Sequence, residues 1–185
     1  MTDTSSHPRA MPGDLSKAQL VERIIRVDQA GEYGAVRIYQ GQRAVLGKSA
    51  IAETLAHMEN QERQHLDSFN RLMAERHVRP TLLQPLWHLM GFALGAGTAL
   101  MGEKAAMACT VAVEEAIDEH YGNQARQLGE DEPELGAMMA EFRDHERAHR
   151  DIGLQYGAER AAGYPVLHAL VKNGSRLAIW LSERI

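Results

Sequence analysis

Apolar residues recur with helical spacing along most of the chain, and no segment shows sustained period-two alternation with β-branched residues. This pattern predicts an all-α fold. Four long helices are expected over residues 15–46, 49–77, 99–128 and 133–156. A shorter helix is expected to begin after Gly163 and to end near Leu181.

A long connection joins the second and third of these helices. From Pro80 to Gly102 it carries no charged residue. Four long helices with one long connection imply a bundle with a single crossover. We therefore predict a ferritin-like four-helix bundle with a long apolar crossover between helices two and three and an extra C-terminal helix.

The charge-free segment is long enough to span a bilayer, but its composition is poor for that purpose. It contains Gln84, Pro85, His88 and four glycines. One interpretation is an interfacial or re-entrant segment, or a buried crossover. The other is a buried core helix in a water-soluble protein.

Composition excludes several classes of protein. The chain has 185 residues and a net charge of −5, which argues against nucleic-acid binding by bulk charge. Cys109 is the single cysteine, so any metal would be bound through oxygen and nitrogen. Residues 1–14 are polar and turn-forming, and we expect a flexible N-terminal arm there and no signal peptide. The ferritin-like domain is expected over residues 15–185.

A Glu-x-x-His pair interrupts the apolar stripe of the second helix and of the fourth. The pairs are Glu62 with His65 and Glu146 with His149. Residues three apart lie on the same face of a helix. Two such pairs are weak evidence by count alone. Their positions carry more weight, because an uncompensated charge in the middle of an apolar stripe costs several kcal/mol.

A lone glutamate on the preceding helix accompanies each pair. Glu32 lies 30 residues before Glu62, and Glu114 lies 32 residues before Glu146, so one pattern repeats with an offset of 82 to 84 residues. Four carboxylates and two imidazoles in this arrangement are typical of a carboxylate-bridged site for two ions of the iron or manganese type. A bundle with buried ion pairs is the alternative, but four clustered carboxylates without cations would be very costly.

Other polar residues are weaker candidates. Tyr121 lies on the same face as Glu114 and is a candidate for gating the site or relaying an electron, although a buried tyrosine more often only packs. His120 is a further candidate beside the metal ligands. Asp28 and Asp118 are candidates for holding a ligand histidine, or are ordinary polar flanks of their helices.

Three glycines interrupt the first helix. Gly31, Gly34 and Gly41 each cost about 1 kcal/mol relative to alanine in a helix interior. We expect another segment to approach closely there, or the helix to be locally distorted.

Several motifs resemble those of the demethoxyubiquinone hydroxylase family, which acts late in ubiquinone biosynthesis. Residues 26–35, RVDQAGEYGA, are similar to the signature of that family's first helix. Further matches lie at 78–81 (VRPT), 91–97 (GFALGAG), 108–115 (ACTVAVEE), 142–144 (FRD) and 181–184 (LSER). The family's metal ligands fall on the six residues that the spacing indicates: Glu32, Glu62, His65, Glu114, Glu146 and His149.

The resemblance implies a di-iron monooxygenase that reduces O2 and inserts one oxygen into the ring of 5-demethoxyubiquinol. It implies two Fe²⁺ ions and peripheral attachment to the membrane that holds the prenylated quinone. Because we expect no signal peptide, we predict the cytoplasmic face of the cell membrane. No flavin or nicotinamide motif is visible, so we expect an external electron donor. Partners in ubiquinone biosynthesis and a homo-oligomer are compatible with this interpretation.

The substrate's isoprenoid tail needs an apolar entrance. The charge-free segment could supply it, and the end of the last helix could extend the same face. The residues expected there are Trp87, Leu89, Met90, Phe92, Leu94, Leu177, Trp180 and Leu181.

Two features depart from the family pattern. Gln29 occupies a place associated with histidine. His145 and Arg150 flank the last Glu-x-x-His where the family tends to have a carboxylate and a second histidine. None of the three is a predicted ligand, so we expect them to tune the site without abolishing it.

Three other functions compete with the hydroxylase. One is a ferritin-like iron store or ferroxidase, which the charge-free segment fits badly. Another is a manganese catalase, which needs no electron donor. The third is a scaffold at the membrane surface without chemistry.

Overall fold

The computed structural model describes residues 15–185, and the predicted arm at 1–14 lies outside the described residues. Every regular element in this part of the chain is helical, which confirms the all-α prediction. A short 3₁₀ turn at Ala158–Arg160 precedes the last helix. The six α-helices are α1 (Lys17–Leu46), α2 (Ala52–Glu75), α3 (Gln84–Leu100), α4 (Glu103–Leu128), α5 (Pro133–Gln155) and α6 (Tyr164–Ser182).

Local capping chemistry sets the helix ends. The Ser16 hydroxyl accepts a hydrogen bond from the Gln19 backbone N–H, and the Gln19 side chain accepts one from the Ser16 N–H, so α1 starts with a capping box. The helix α2 starts at Ala52 and not directly after Ser49, because the Ser49 hydroxyl accepts a bond from the Ile51 N–H within a turn. Pro133 begins α5 as predicted.

Helices α1, α2, α4 and α5 form the bundle. Two apolar clusters fill the space between them, and a third, which includes Ile38, Val113 and Val171, lies between α1, α4 and α6. Of the first two clusters, one contains Ile24, Phe69 and Met139, and the other contains Leu55, Met58 and Met107. On every bundle helix, the predicted polar residues lie between a residue of one cluster and a residue of the other. The polar layer is therefore enclosed by apolar packing at both ends.

The crossover contains a helix of its own, α3, which packs lengthwise against α1. Glycines allow this approach, since a Cβ on Gly91 would lie 2.9 Å from the Gly34 carbonyl oxygen. A Cβ on Gly95 would collide with the Ile38 backbone, and one on Gly41 would collide with the Phe92 backbone. The close approach predicted for the first helix is thus present at Gly41.

The outer side of α3 shows that the interpretation of the segment as a buried core helix is wrong. Leu86, Leu89 and Met90 are exposed, and the packed side consists of Gly91, Gly95, Thr98 and Ala99. Gly91 and Gly95 face α1 because they permit contact between backbones, which leaves the large apolar side chains of α3 on the outside. Among residues 15–185, no helix combines the length and the hydropathy needed to cross a membrane.

The predicted C-terminal helix, α6, packs against α4. Lys172 contacts Glu115 and Arg176 contacts Glu119, each with a nitrogen–oxygen distance of 2.6 Å. Large apolar side chains also lie exposed on this helix, at Val166, Leu170, Leu177 and Trp180. The ion pairs therefore fix α6 to the bundle while much of its apolar surface stays uncovered.

Candidate metal centre

The four bundle helices bring the six predicted residues into one buried layer. None of the six is more than 2% exposed. They are Glu32 from α1, Glu62 and His65 from α2, Glu114 from α4, and Glu146 and His149 from α5.

The six residues form two overlapping groups, in each of which the potential ligand atoms lie within 4.8 Å of one another. Each group contains three glutamates and one histidine, and Glu62 and Glu146 belong to both. The groups are Glu32, Glu62, His65 and Glu146, and Glu62, Glu114, Glu146 and His149. A carboxylate-bridged pair of ions needs two sets of ligands that share carboxylates, and these two groups share two.

The inner nitrogens of both histidines point into this layer. Nδ1 of His65 lies 3.2 Å from a Glu146 oxygen and 3.4 Å from a Glu32 oxygen. Nδ1 of His149 lies 2.9 Å from a Glu62 oxygen and 3.7 Å from a Glu146 oxygen. Each imidazole therefore offers Nδ1 to the carboxylates of its own group.

Unsatisfied polar atoms test whether metal ions fit here. Within residues 15–185, twelve buried side-chain nitrogen or oxygen atoms have no hydrogen-bond partner, and eight of these belong to the six residues. They are both oxygens of Glu62 and of Glu146, Oε2 of Glu32 and of Glu114, and Nδ1 of both histidines. An orphaned buried acceptor costs about 1–3 kcal/mol. Divalent cations of the iron or manganese type take both carboxylate oxygen and imidazole nitrogen ligands, so the donor set fits such ions.

Two tyrosines satisfy the remaining oxygens of the outer glutamates. The Tyr39 hydroxyl donates to Oε1 of Glu114 at 2.8 Å, and the Tyr121 hydroxyl donates to Oε1 of Glu32. The sequence pattern indicates Tyr121 as a candidate, whereas only the structure shows the contact that Tyr39 makes. The signal was available, because Tyr39 follows Glu32 at the same spacing of seven residues as Tyr121 follows Glu114.

The outer nitrogens of the histidines contact Gln61, which the sequence spacing does not single out, and His145, which the sequence marks only as a flank of Glu146. Nε2 of His149 lies 3.0 Å from Oε1 of Gln61, and Nε2 of His65 lies 3.0 Å from Nδ1 of His145. Gln61 and His145 each directly precede the glutamate of a Glu-x-x-His pair.

Charge in the metal-free layer is unevenly distributed. Burial raises the pKa of Glu32 and of Glu114 well above the usual range of glutamate. Burial acts in the same direction on Glu146, but the neighbouring imidazoles of His149 and His65 outweigh it and lower the pKa of Glu146 to about 2. Burial opposes protonation of His149, but Glu146 and Glu62 outweigh it and raise its pKa to about 9. Metal binding must therefore displace protons from this site.

Comparison with known sequences identifies the family. The chain matches the family described as "Ubiquinone biosynthesis protein COQ7" over residues 19–182. The chain belongs to the COQ7 family. The predicted resemblance is thereby confirmed.

Relatives of this COQ7-family chain cover nearly all of it. It is 60% identical over 176 residues to the 3-demethoxyubiquinol 3-hydroxylase of Rhodospirillum rubrum, a match covering 95% of this chain and 83% of that protein. It is 56% identical over 176 residues to the human mitochondrial NADPH-dependent 3-demethoxyubiquinone 3-hydroxylase, covering 93% and 81%. The yeast mitochondrial 5-demethoxyubiquinone hydroxylase is 41% identical over 202 residues, covering 100% and 87%.

Within this COQ7-family structure, the weaker candidates lie around the layer. His120 contacts Asp28 at 3.2 Å, and Gln124 donates to the same Asp28 oxygen at 2.7 Å. Asp118 accepts hydrogen bonds from Arg143 and Arg147. Asp28 and Asp118 therefore do not hold the histidines of the layer. Gln61 and His145 contact the outer nitrogens of His149 and His65 instead.

The three residues expected to depart from the family pattern have distinct surroundings. The Gln29 side chain donates to Asn70 at 3.1 Å, and Arg150 pairs with Asp151. His145 alone of the three contacts one of the six residues.

Proposed function

We propose that this protein is a di-iron, O2-dependent monooxygenase that hydroxylates the ring of 5-demethoxyubiquinol late in ubiquinone biosynthesis. The observation that carries the proposal is the pair of buried Glu/His groups that share Glu62 and Glu146 and whose inward atoms lack partners. The hydroxylase names of the relatives support the substrate.

The ligands that we propose for two Fe²⁺ ions are Glu32, Glu62, His65, Glu114, Glu146 and His149. A bound iron pair would supply the reduction of O2. The chain itself supplies the oxygen and nitrogen donors and excludes water, because apolar clusters enclose the layer on both sides. Tyr39 and Tyr121 orient the two outer glutamates by donating to one oxygen of each.

The apolar surface supports peripheral attachment to a membrane, which we propose is the cytoplasmic face of the cell membrane. On α3, Leu89 is 65% exposed, and on α6, Leu170 is 69% exposed. Trp87 of α3 donates a hydrogen bond to Ser182 of α6 at 2.9 Å, so the two helices are tied together at one end. A prenylated quinol partitions into the bilayer, and this surface would bring the enzyme to it.

Electrons for the reaction would come from an external donor. The printed name of the human relative states a dependence on NADPH. Partner proteins of ubiquinone biosynthesis and a homo-oligomer are compatible with the same surface, and no nucleic acid is expected.

A strain whose single copy carries Glu146→Ala tests the proposed reaction. We expect accumulation of demethoxyubiquinone and loss of bound iron from the purified protein, because Glu146 belongs to both groups. Glu141→Ala removes an exposed carboxylate from the same helix and is the matched control. Normal quinone content in the Glu146→Ala strain would refute the proposal.

Two measurements on the purified protein separate the rival functions. Release of oxygen from peroxide without a reductant would favour a manganese catalase. A large hollow oligomer in gel filtration would favour an iron store.

Vesicle flotation tests the proposed membrane face. The variant Leu89→Glu combined with Leu170→Glu should lose binding to vesicles of phosphatidylethanolamine and phosphatidylglycerol, because buried charge is costly in an apolar environment. Gln64→Glu places a new charge on the exposed side of α2 and should bind like the wild type. Equal flotation of all three proteins would contradict attachment through α3 and α6.

A further inference from the structure

The environment of the two histidines follows a crossed pattern between α2 and α5. Gln61, which precedes Glu62 on α2, contacts His149 on α5. His145, which precedes Glu146 on α5, contacts His65 on α2. The residue before each glutamate therefore reaches the histidine of the opposite helix, and Gln61 and His145 occupy equivalent places 84 residues apart.

The Gln61 contact decides which nitrogen of His149 keeps its proton when a metal ion binds and displaces the other proton. An amide oxygen can only accept a hydrogen bond, so His149 donates Nε2–H to Oε1 of Gln61. A neutral imidazole protonated at Nε2 has its lone pair on Nδ1, the atom that faces Glu62. The ring is thereby set for a metal ion at Nδ1.

The contact between His65 and His145 has the geometry to do the same. The planes of the two rings are nearly parallel, with an interplanar angle of 1°, and Nε2 of His65 lies 3.0 Å from Nδ1 of His145. Phe142 stacks on His65 with ring centroids 4.0 Å apart, which restricts rotation of the His65 ring. His145 is only half-buried, so its own Nε2 can carry the proton that leaves Nδ1 free to accept.

We propose that His145 is a positioning residue for the metal centre, which accepts the Nε2–H of His65 and so leaves Nδ1, the nitrogen that faces the carboxylates, as the atom that would bind a metal ion. Gln61 performs the same task for His149. The inference rests on the proposed metal centre. It assigns a role to a residue at which this chain departs from the carboxylate expected by resemblance, since a neutral acceptor replaces a charged one.

The substitutions His145→Leu and His145→Gln separate positioning from packing. Leucine removes the acceptor, whereas glutamine restores an acceptor of the kind that Gln61 already provides at the equivalent place. His145→Ala serves as a second variant without the acceptor, in case leucine disturbs the contact between α2 and α5. His57→Leu, which removes an exposed imidazole from α2, is the matched control.

Anaerobic titration of metal-free protein with Co²⁺ gives the readout, because the visible bands of Co²⁺ report binding without turnover. Wild type, His57→Leu and His145→Gln should bind two equivalents with similar affinity. His145→Leu and His145→Ala should weaken one of the two binding steps by about 10- to 100-fold, as is typical when the partner of a metal-bound histidine is removed. Gln61→Leu should also weaken one step, and the double variant should weaken both.

The outcomes distinguish the failure of this inference from the failure of the proposed metal centre. If wild type binds two Co²⁺ and the leucine and alanine variants bind them equally well, the positioning role of His145 is refuted and the metal centre stands. If glutamine weakens binding as much as leucine, acceptor geometry is not what His145 supplies, and the inference also fails. If wild type binds no Co²⁺, both fall together.

Discussion

The hydroxyl of Tyr39 on α1 donates a hydrogen bond to Oε1 of Glu114 on α4, across the bundle, at 2.8 Å. The reverse contact runs from Tyr121 on α4 to Glu32 on α1. Each tyrosine follows the glutamate of its own helix by seven residues and reaches the glutamate of the other helix. Each contact occupies Oε1 and leaves Oε2 facing the layer without a partner. The tyrosines thus hydrogen-bond one oxygen of each outer glutamate and leave the other oxygen available to a metal ion.

Removal of either hydroxyl should destabilise the fold. Tyr39→Phe leaves the buried Oε1 of Glu114 without a donor, and such an orphaned acceptor costs about 1–3 kcal/mol. Tyr121→Phe should cost a similar amount at Glu32. Urea unfolding of the metal-free proteins measures the change. Tyr156→Phe removes an exposed hydroxyl that contacts Thr54 and should stay within about 0.5 kcal/mol of wild type. A loss at Tyr39 no larger than at Tyr156 would contradict the buried contact.

Shared and unshared glutamates should differ in metal stoichiometry. Glu62→Gln removes a carboxylate that belongs to both groups, so we expect both ions to be lost. Glu32→Gln removes a carboxylate from one group, so we expect one ion to remain. Iron per chain, measured by elemental analysis after anaerobic loading, checks this. Equal stoichiometry in the two variants would show that Glu62 does not bridge.

Alanine substitution at two glycines of α3 should change the stability of the protein in opposite directions. A Cβ at Gly95 collides with the Ile38 backbone, which cannot rotate away, so Gly95→Ala should destabilise by about 1–3 kcal/mol. A Cβ at Gly97 meets nothing within 4 Å, so Gly97→Ala should stabilise by up to about 1 kcal/mol through helix propensity. Thermal unfolding of both variants gives the sign directly, and the same sign for both would contradict the packing of α3.

Acid should weaken the connection between α1 and α2. Burial opposes ionisation of Glu59, but hydrogen bonds from Arg43 and Arg63 outweigh burial and lower its pKa below the usual 4.5. A carboxylate with a lowered pKa in the folded state stabilises fully above its unfolded pKa, and this contribution disappears as pH falls through the folded pKa. Glu59→Gln should therefore cost most near neutral pH, and its cost should shrink as pH falls below the usual pKa of 4.5 and through the lowered pKa of Glu59.

Urea unfolding from neutral to acidic pH measures this difference. Asp67→Asn, which neutralises an exposed carboxylate on the same helix, is the control. A cost of Glu59→Gln that stays constant with pH would show that the pairing with the two arginines is not what stabilises this region.

The sequence by itself determined the four bundle helices, the C-terminal helix, the family and the composition of the polar layer. Helical periodicity is local, and a residue such as Glu62 in the middle of an apolar stripe, three positions before His65, can be recognised without knowing its neighbours. The doubling of that pattern at Glu146 and His149 indicated that the two stripes face each other. Burial of all six residues in one layer agrees with that expectation.

The tertiary structure alone decided which residues support the layer and where the crossover lies. Gln61 meets His149 across 88 positions and His145 meets His65 across 80, so no local pattern connects them. The crossover was ambiguous because hydropathy does not tell a buried helix from an exposed one. The glycines of α3 settle the question only once α1 is placed beside them. A glycine allows another backbone to come close, and the sequence does not show which backbone that is.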